Sequence, residues 1–146
     1  MTNLEKAKRA LATGGYTCAL YRDERVHTSL ERGVKPLVSW LESGIDFQGF
    51  SAADKVVGKG AAFLYLLLGV EAVYAGIISA PALALLQNRG VFVEYDTLTE
   101  HIINRNKDGL CPFEAAVLEI DDPKTAYLAI RAKMKELNIT IGTYKN

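Results

Sequence analysis

The chain has 146 residues, a normal length for one domain and enough to bury a core. Hydrophobic residues make up 49% and charged residues 23%, which excludes a disordered chain. The 17 Lys and Arg balance the 17 Asp and Glu, so no long-range field draws the protein to nucleic acid or to an anionic membrane.

The opening residues are polar and lack the apolar stretch of a signal peptide. The longest apolar run, residues 61–70, is too short to span a bilayer. The expected location is therefore the cytoplasm, where Cys18 and Cys111 are read as free thiols. No internal repeat or linker divides the chain, so residues 1–146 are expected to form a single domain.

Leu4, Ala7 and Leu11 recur at helical spacing among charges, which predicts a short amphipathic helix over 4–11 ended by Gly14-Gly15. Residues 16–21 and 25–29 are strand-like around an Arg22-Asp23-Glu24 turn, an antiparallel hairpin. A helix over 34–41 follows and stops at Gly44. Ser51-Ala52-Ala53-Asp54 fits a capping box with Asp in place of Glu, so a long central helix is expected from Ser51 to Gly69. Its second half is apolar nearly all round, the pattern of a buried helix. Gly58 and Gly60 inside it each cost roughly 1 kcal/mol against alanine, and close packing on a sheet or a ligand near the backbone would compensate.

Residues 70–78 read as a strand covered on both faces, and Ser79 as the N-cap of a helix over 80–87 with Pro81 in its first turn. Residues 91–95 form another strand, and 104–109 a polar loop. A helix starts at Cys111-Pro112, Asp121-Asp122-Pro123 breaks it, and 124–137 form the last long helix, with a short final strand over 139–141. A hairpin followed by helix-connected strands implies an α/β fold: a mixed sheet between helical layers, α/β/α.

The segment Asp54-Lys55-Val56-Val57-Gly58-Lys59-Gly60-Ala61-Ala62, together with Asn104-Arg105 and Gly109-Leu110-Cys111-Pro112-Phe113-Glu114, resembles the small bacterial and archaeal proteins called domain of unknown function 1893. The resemblance covers about residues 3–137 and implies a cytidine-deaminase-like fold, with no reaction attached. That fold sets zinc at two helix N-termini, using a His or Cys two residues before a catalytic Glu on one helix and Pro-Cys-x-x-Cys on the other. Mapped here, these fall on the helices over 51–69 and 80–87, and neither carries such ligands. Cys18, Cys111, His27 and His101 have no paired spacing, so neither a metal nor another cofactor is expected.

Asp54 and Lys59 lie at the predicted helix opening. Asp54 reads as a cap or as a ligand contact, and Lys59 either as a solvated lysine or as a cation for an anionic or carbonyl-bearing ligand. Ser79 is an N-cap at the carboxyl end of a strand, where ligands of open α/β sheets gather. Cys111 stands at a helix start, where a thiolate is favoured, against the alternative of a buried small residue. Glu114 caps its own helix in this reading, and Asn104 and Arg105 offer an amide and an anion-binding fork. The histidines are assigned no role.

Three readings result. One is a metal-free domain binding a small polar, nucleotide-like molecule through Asp54, Lys59, Ser79, Asn104 and Arg105, with Cys111 as nucleophile or Lys59 as general acid if it is an enzyme. The second is a sensor that only binds. The third is a structural protein whose apolar surface makes a homodimer.

Overall fold

The computed structural model describes residues 1–104 and 106–141. Helix α1 (Asn3–Gly14) is closed by a capping box in which Thr2 and Glu5 exchange hydrogen bonds. It leads into the hairpin of β1 (Cys18–Arg22) and β2 (Arg25–Ser29), with Asp23 and Glu24 at positive φ in the two-residue turn. Helix α2 (Lys35–Glu42) follows, with Pro36 in its first turn.

Residues Ser51–Val57 form a strand, β3, and not the first half of a helix. Gly58, extended at φ −94° and ψ 179°, is the N-cap of α3 (Lys59–Leu68). The capping-box reading of Ser51 and Asp54 is thus corrected. Ala52 and Ala53 are both fully buried because each faces a different packed layer, a requirement local helix propensity does not express. Backbone partners on both sides, β1 and β4 (Ala72–Ser79), complete the strand. Helix α3 ends where expected, at Gly69 with φ 82°.

Strand β4 runs directly into α4 (Ala80–Asn88), then β5 (Phe92–Thr99), the short α5 (Pro112–Ala116) and α6 (Pro123–Glu136). Residues 139–141 are not a strand; Ile139 N–H instead closes the end of α6 on the Met134 carbonyl.

The sheet order is β2-β1-β3-β4-β5, with β1 antiparallel to both neighbours and β3, β4 and β5 parallel. Helix α1 covers one face, packing Ala7 and Leu11 on Ala53 with Tyr21 and Tyr74 around them. The other helices bury the main core on the opposite face, centred on Trp40, Phe47, Phe63, Leu64 and Ile130. These are the three layers of an α/β/α domain. Among the described residues, no helix is long and apolar enough to cross a membrane.

Strand alternation breaks at one level of β3 and β4. Lys55 and Val56 are both exposed before buried Val57, and half-buried Gly76 and exposed Ile77 precede buried Ile78. A Cβ at Gly76 would lie 2.8 Å from the Lys55 carbonyl oxygen, so glycine permits the two strands to approach there.

Candidate functional site

Strands β3 and β4 deliver their carboxyl ends to two adjacent helix starts, at Gly58-Lys59 and at Ser79-Ala80. Such ends present unpaired N–H groups and favour negative charge. Between them sits the carboxylate of Glu114, 1% exposed, brought by α5. Its Oε1 accepts the Lys59 backbone N–H at 3.1 Å and the Ser79 hydroxyl at 2.6 Å, and its Oε2 accepts the Ile102 N–H. Ser79 also caps α4 by accepting from Ala82 N–H at 3.3 Å, as its position in the sequence predicts. Three chain segments therefore meet on one buried anion, held by N–H and O–H donors.

Lys59 contributes its backbone to this cluster, not its ammonium. Its Nζ donates to the Leu118 carbonyl at 2.7 Å and lies 5.7 Å from the centre of the Phe63 ring. The lysine is buried at 9% exposure, so it is not a solvated surface residue. The flanking glycines serve the same packing. A Cβ at Gly58 would be 3.1 Å from Ile102 Cγ1 and 3.3 Å from Glu114 Oε2, and one at Gly60 would be 3.1 Å from the Phe113 carbonyl oxygen. Side chains there would push α5 away, so the close approach these glycines permit is to the protein's own chain.

Asp54 is not part of this group. On β3 it is buried against α3, where Oδ2 accepts the Tyr65 hydroxyl at 2.6 Å and Oδ1 the Val56 N–H at 3.3 Å. Burial pushes its carboxyl up to about 7, against the downward pull of the Tyr65 hydrogen bond. Its strand partner on β1 is Cys18, whose thiol is likewise driven up, by burial first and by the Asp54 charge second. Burial and Asp54 also raise Tyr65. Asp54, Tyr65 and Cys18 thus form a second buried polar group under α3.

Asn104 is occupied in closing the loop after β5. Its side chain donates to Asp108 at 2.8 Å and accepts from the Asp108 N–H, while its own N–H reaches the Gly109 carbonyl. Arg105 lies outside the described residues. Cys111 is the N-cap of α5, partly exposed, and its N–H donates to the Ile102 carbonyl at 2.8 Å. One residue before Ile102, the Nδ1 of His101 is buried with no hydrogen-bond partner among the described residues. Lys59, Ser79 and the Cys111–Glu114 segment are accordingly brought together, whereas Asp54 and Asn104 engage elsewhere.

Sequence reading placed Glu114 as a cap of its own helix and missed its central position. The available signal was weak: one acid between Phe113 and Ala115-Ala116, one turn before Val117, on the face that the fold buries.

The deaminase resemblance implies zinc at the two helix starts, and the residues there do not fit it. Gly58, Lys59 and Gly60 on one side and Ser79, Ala80 and Pro81 on the other supply no imidazole or thiolate. Among the described residues, no three His, Cys, Asp or Glu side chains are grouped to hold a metal ion. The donor set is suited to an anion. Two open grooves, of about 630 and 360 Å³, lie near the end of α6; Phe113 lines the smaller one, and neither is lined by Glu114, Lys59, Ser79 or Ile102.

A family model described as Domain of unknown function (DUF1893) matches residues 6–134. The crystal structure of a DUF1893 family protein from Thermotoga maritima superposes with a TM-score of 0.83 at 30% identity, covering 91% of each chain. A diaminohydroxyphosphoribosylaminopyrimidine deaminase/5-amino-6-(5-phosphoribosylamino)uracil reductase from Thermotoga maritima aligns at a TM-score of 0.41 and 16% identity, over 77% of this chain and 39% of that one, too distant to assign an activity. Comparison with curated proteins finds no match.

Proposed function

The chain belongs to the DUF1893 family, and from that premise we propose that it is a binding domain for a small polar ligand bearing an anionic group, a phosphate or a carboxylate. The observation that carries this reading is the carboxylate of Glu114 seated on Lys59 N–H, Ser79 hydroxyl and Ile102 N–H, with no cationic side chain among its hydrogen-bond partners in the described residues. Two helix starts at the carboxyl ends of parallel strands are where α/β sheets receive anions, and here a side chain of the protein takes that role at rest. An incoming anion exchanges with Glu114 on the same donors. The buried His101 Nδ1 beside Ile102, without a hydrogen-bond partner among the described residues, is a further polar atom that such a ligand would satisfy.

Binding without chemistry fits the cluster better than acid catalysis by Lys59, because that ammonium is already engaged with Leu118. A second reading, catalysis by Cys111, draws on the partial exposure of its thiol at the start of α5. Turnover that disappears in Cys111→Ser would select it.

Thermal-shift titration with inorganic phosphate, acetate and nucleoside monophosphates tests the main reading on the natural chain and on Glu114→Ala. The natural chain is expected to gain stability with nucleoside monophosphates, and Glu114→Ala to respond more strongly to every anion because its three donors stand free. No response of either protein to any of these anions would refute an anion seat.

A further inference from the structure

The two grooves near the end of α6 are both lined by Asn138, Ile139 and Thr140, so they adjoin. Arg131 and Lys135, one helical turn apart on α6, line the larger one. Arg32 and Lys35, at the start of α2, line the smaller. Among the described residues, no Asp or Glu lines either groove. The chain as a whole balances 17 basic with 17 acidic residues, so the grooves segregate positive charge in a neutral protein. Arg32, Arg131 and Lys135 make no ion pair among the described residues, and Lys35 pairs with Glu31 at 2.7 Å.

Helix ends account for only part of this charge. Lys135 stands in the last turn of α6, where a cation complements the carbonyl end of the helix. Arg131, a turn earlier, lies outside that last turn. Arg32 and Lys35 stand at the opposite kind of end. The start of α2 is positive through its unpaired amides, its N-cap Val34 supplies no side-chain acceptor, and no acid occupies its first turn. Two cations beside such an end repel it, and an anion from outside relieves both.

The rest of the lining is largely apolar, with Val34 and Phe113 in the smaller groove, Ile139 in both and Ile141 in the larger. Volumes of about 360 and 630 Å³ fall within the roughly 300–1,000 Å³ of small-molecule sites. Guanidinium forks bind phosphate through paired hydrogen bonds, and apolar walls accept a ring. A ligand charged at one end only would leave one of the two cation pairs unmatched.

We propose that the adjoining grooves bind a small molecule with an apolar body and negative charge at both ends, of the chemical type of a nucleoside bisphosphate. Arg32 and Lys35 hold one end, and Arg131 and Lys135 the other. The site is separate from the Glu114 seat, since neither Glu114 nor its donors line the grooves. Calorimetric titration of the full chain with adenosine, adenosine monophosphate and adenosine bisphosphate, phosphorylated on both sides of the ribose, tests it. The bisphosphate is expected to bind most tightly and adenosine least. Arg32→Ala and Arg131→Ala are each expected to weaken the bisphosphate about tenfold, the worth of one charge-assisted hydrogen bond, with unchanged melting temperature. Lys135→Ala serves in the same way if either variant fails to fold. Glu114→Ala identifies any part of the binding that belongs to the other seat. No binding of the bisphosphate overturns the proposal, as does binding that the groove variants leave unchanged while Glu114→Ala alters it, a result that preserves the Glu114 reading. Equal affinity for the mono- and bisphosphate, or binding of an acidic peptide in place of the nucleotides, overturns it as well.

Discussion

The hydroxyl of Ser79 donates to the carboxylate of Glu114 at 2.6 Å across 35 residues of sequence. This bond ties the β4–α4 junction to α5, and the Lys59 N–H ties the β3–α3 junction to the same oxygen. Glu114 is consequently a cross-link among three segments as well as the anion of the site. Removing its side chain leaves buried donors without acceptors, each costing roughly 1–3 kcal/mol. Glu114→Ala should lose roughly 2–4 kcal/mol in urea denaturation, partly offset where water reaches Ile102. Glu114→Gln keeps one acceptor oxygen and should lose less. Equal losses for the two variants would show that the carboxylate's hydrogen bonds are not what matters.

Gly60 separates local propensity from packing. Alanine is the better helix former by about 1 kcal/mol, so an isolated α3 would gain from Gly60→Ala. In the folded protein the new methyl meets the Phe113 carbonyl oxygen at 3.1 Å, and that atom belongs to backbone. A net loss of roughly 1–2 kcal/mol is expected, with α5 displaced. Chemical denaturation reads the sign directly, and a stabilised variant would mean that α5 yields freely.

Asp54 makes stability depend on pH. Its carboxyl sits at about 7 in the fold against an ordinary 3.8, chiefly because of burial. Between those values the folded protein keeps a proton that the unfolded chain releases. Its contribution is fully present below about pH 4 and is lost as pH rises through about 7, on the order of 4 kcal/mol in all. Asp54→Asn should flatten this decline. Denaturation midpoints measured across that pH window check it, and an unchanged slope in the variant would place the titration elsewhere.

The two thiols should differ in accessibility. Cys18 is 2% exposed, and burial raises its pKa, whereas Cys111 is partly exposed at the start of α5. Iodoacetamide near neutral pH should label Cys111 in the native protein and Cys18 only on unfolding. Peptide mapping by mass spectrometry distinguishes them, and native labelling of Cys18 would contradict its packing under α3.

Much of the architecture is legible in local chemistry. The Leu4, Ala7 and Leu11 stripe, the Gly69 stop and the Ser79 cap each follow from periodicity or from a side chain bonding its own neighbourhood. The absence of zinc ligands at the two helix starts is likewise a property of the sequence. Central strand β3 was not legible as a strand, because Ser51-Ala52-Ala53-Asp54 carries a helix-start pattern and only partners on both sides and layers on both faces make it a strand. The same holds for the site. Lys59 and Ser79 are drawn together by Glu114, which comes from 35 or more residues away, while Asp54, five residues from Lys59, turns instead to Tyr65. Hydrogen bonds between distant segments depend on how strands and helices stack, and that was decided by the tertiary structure alone.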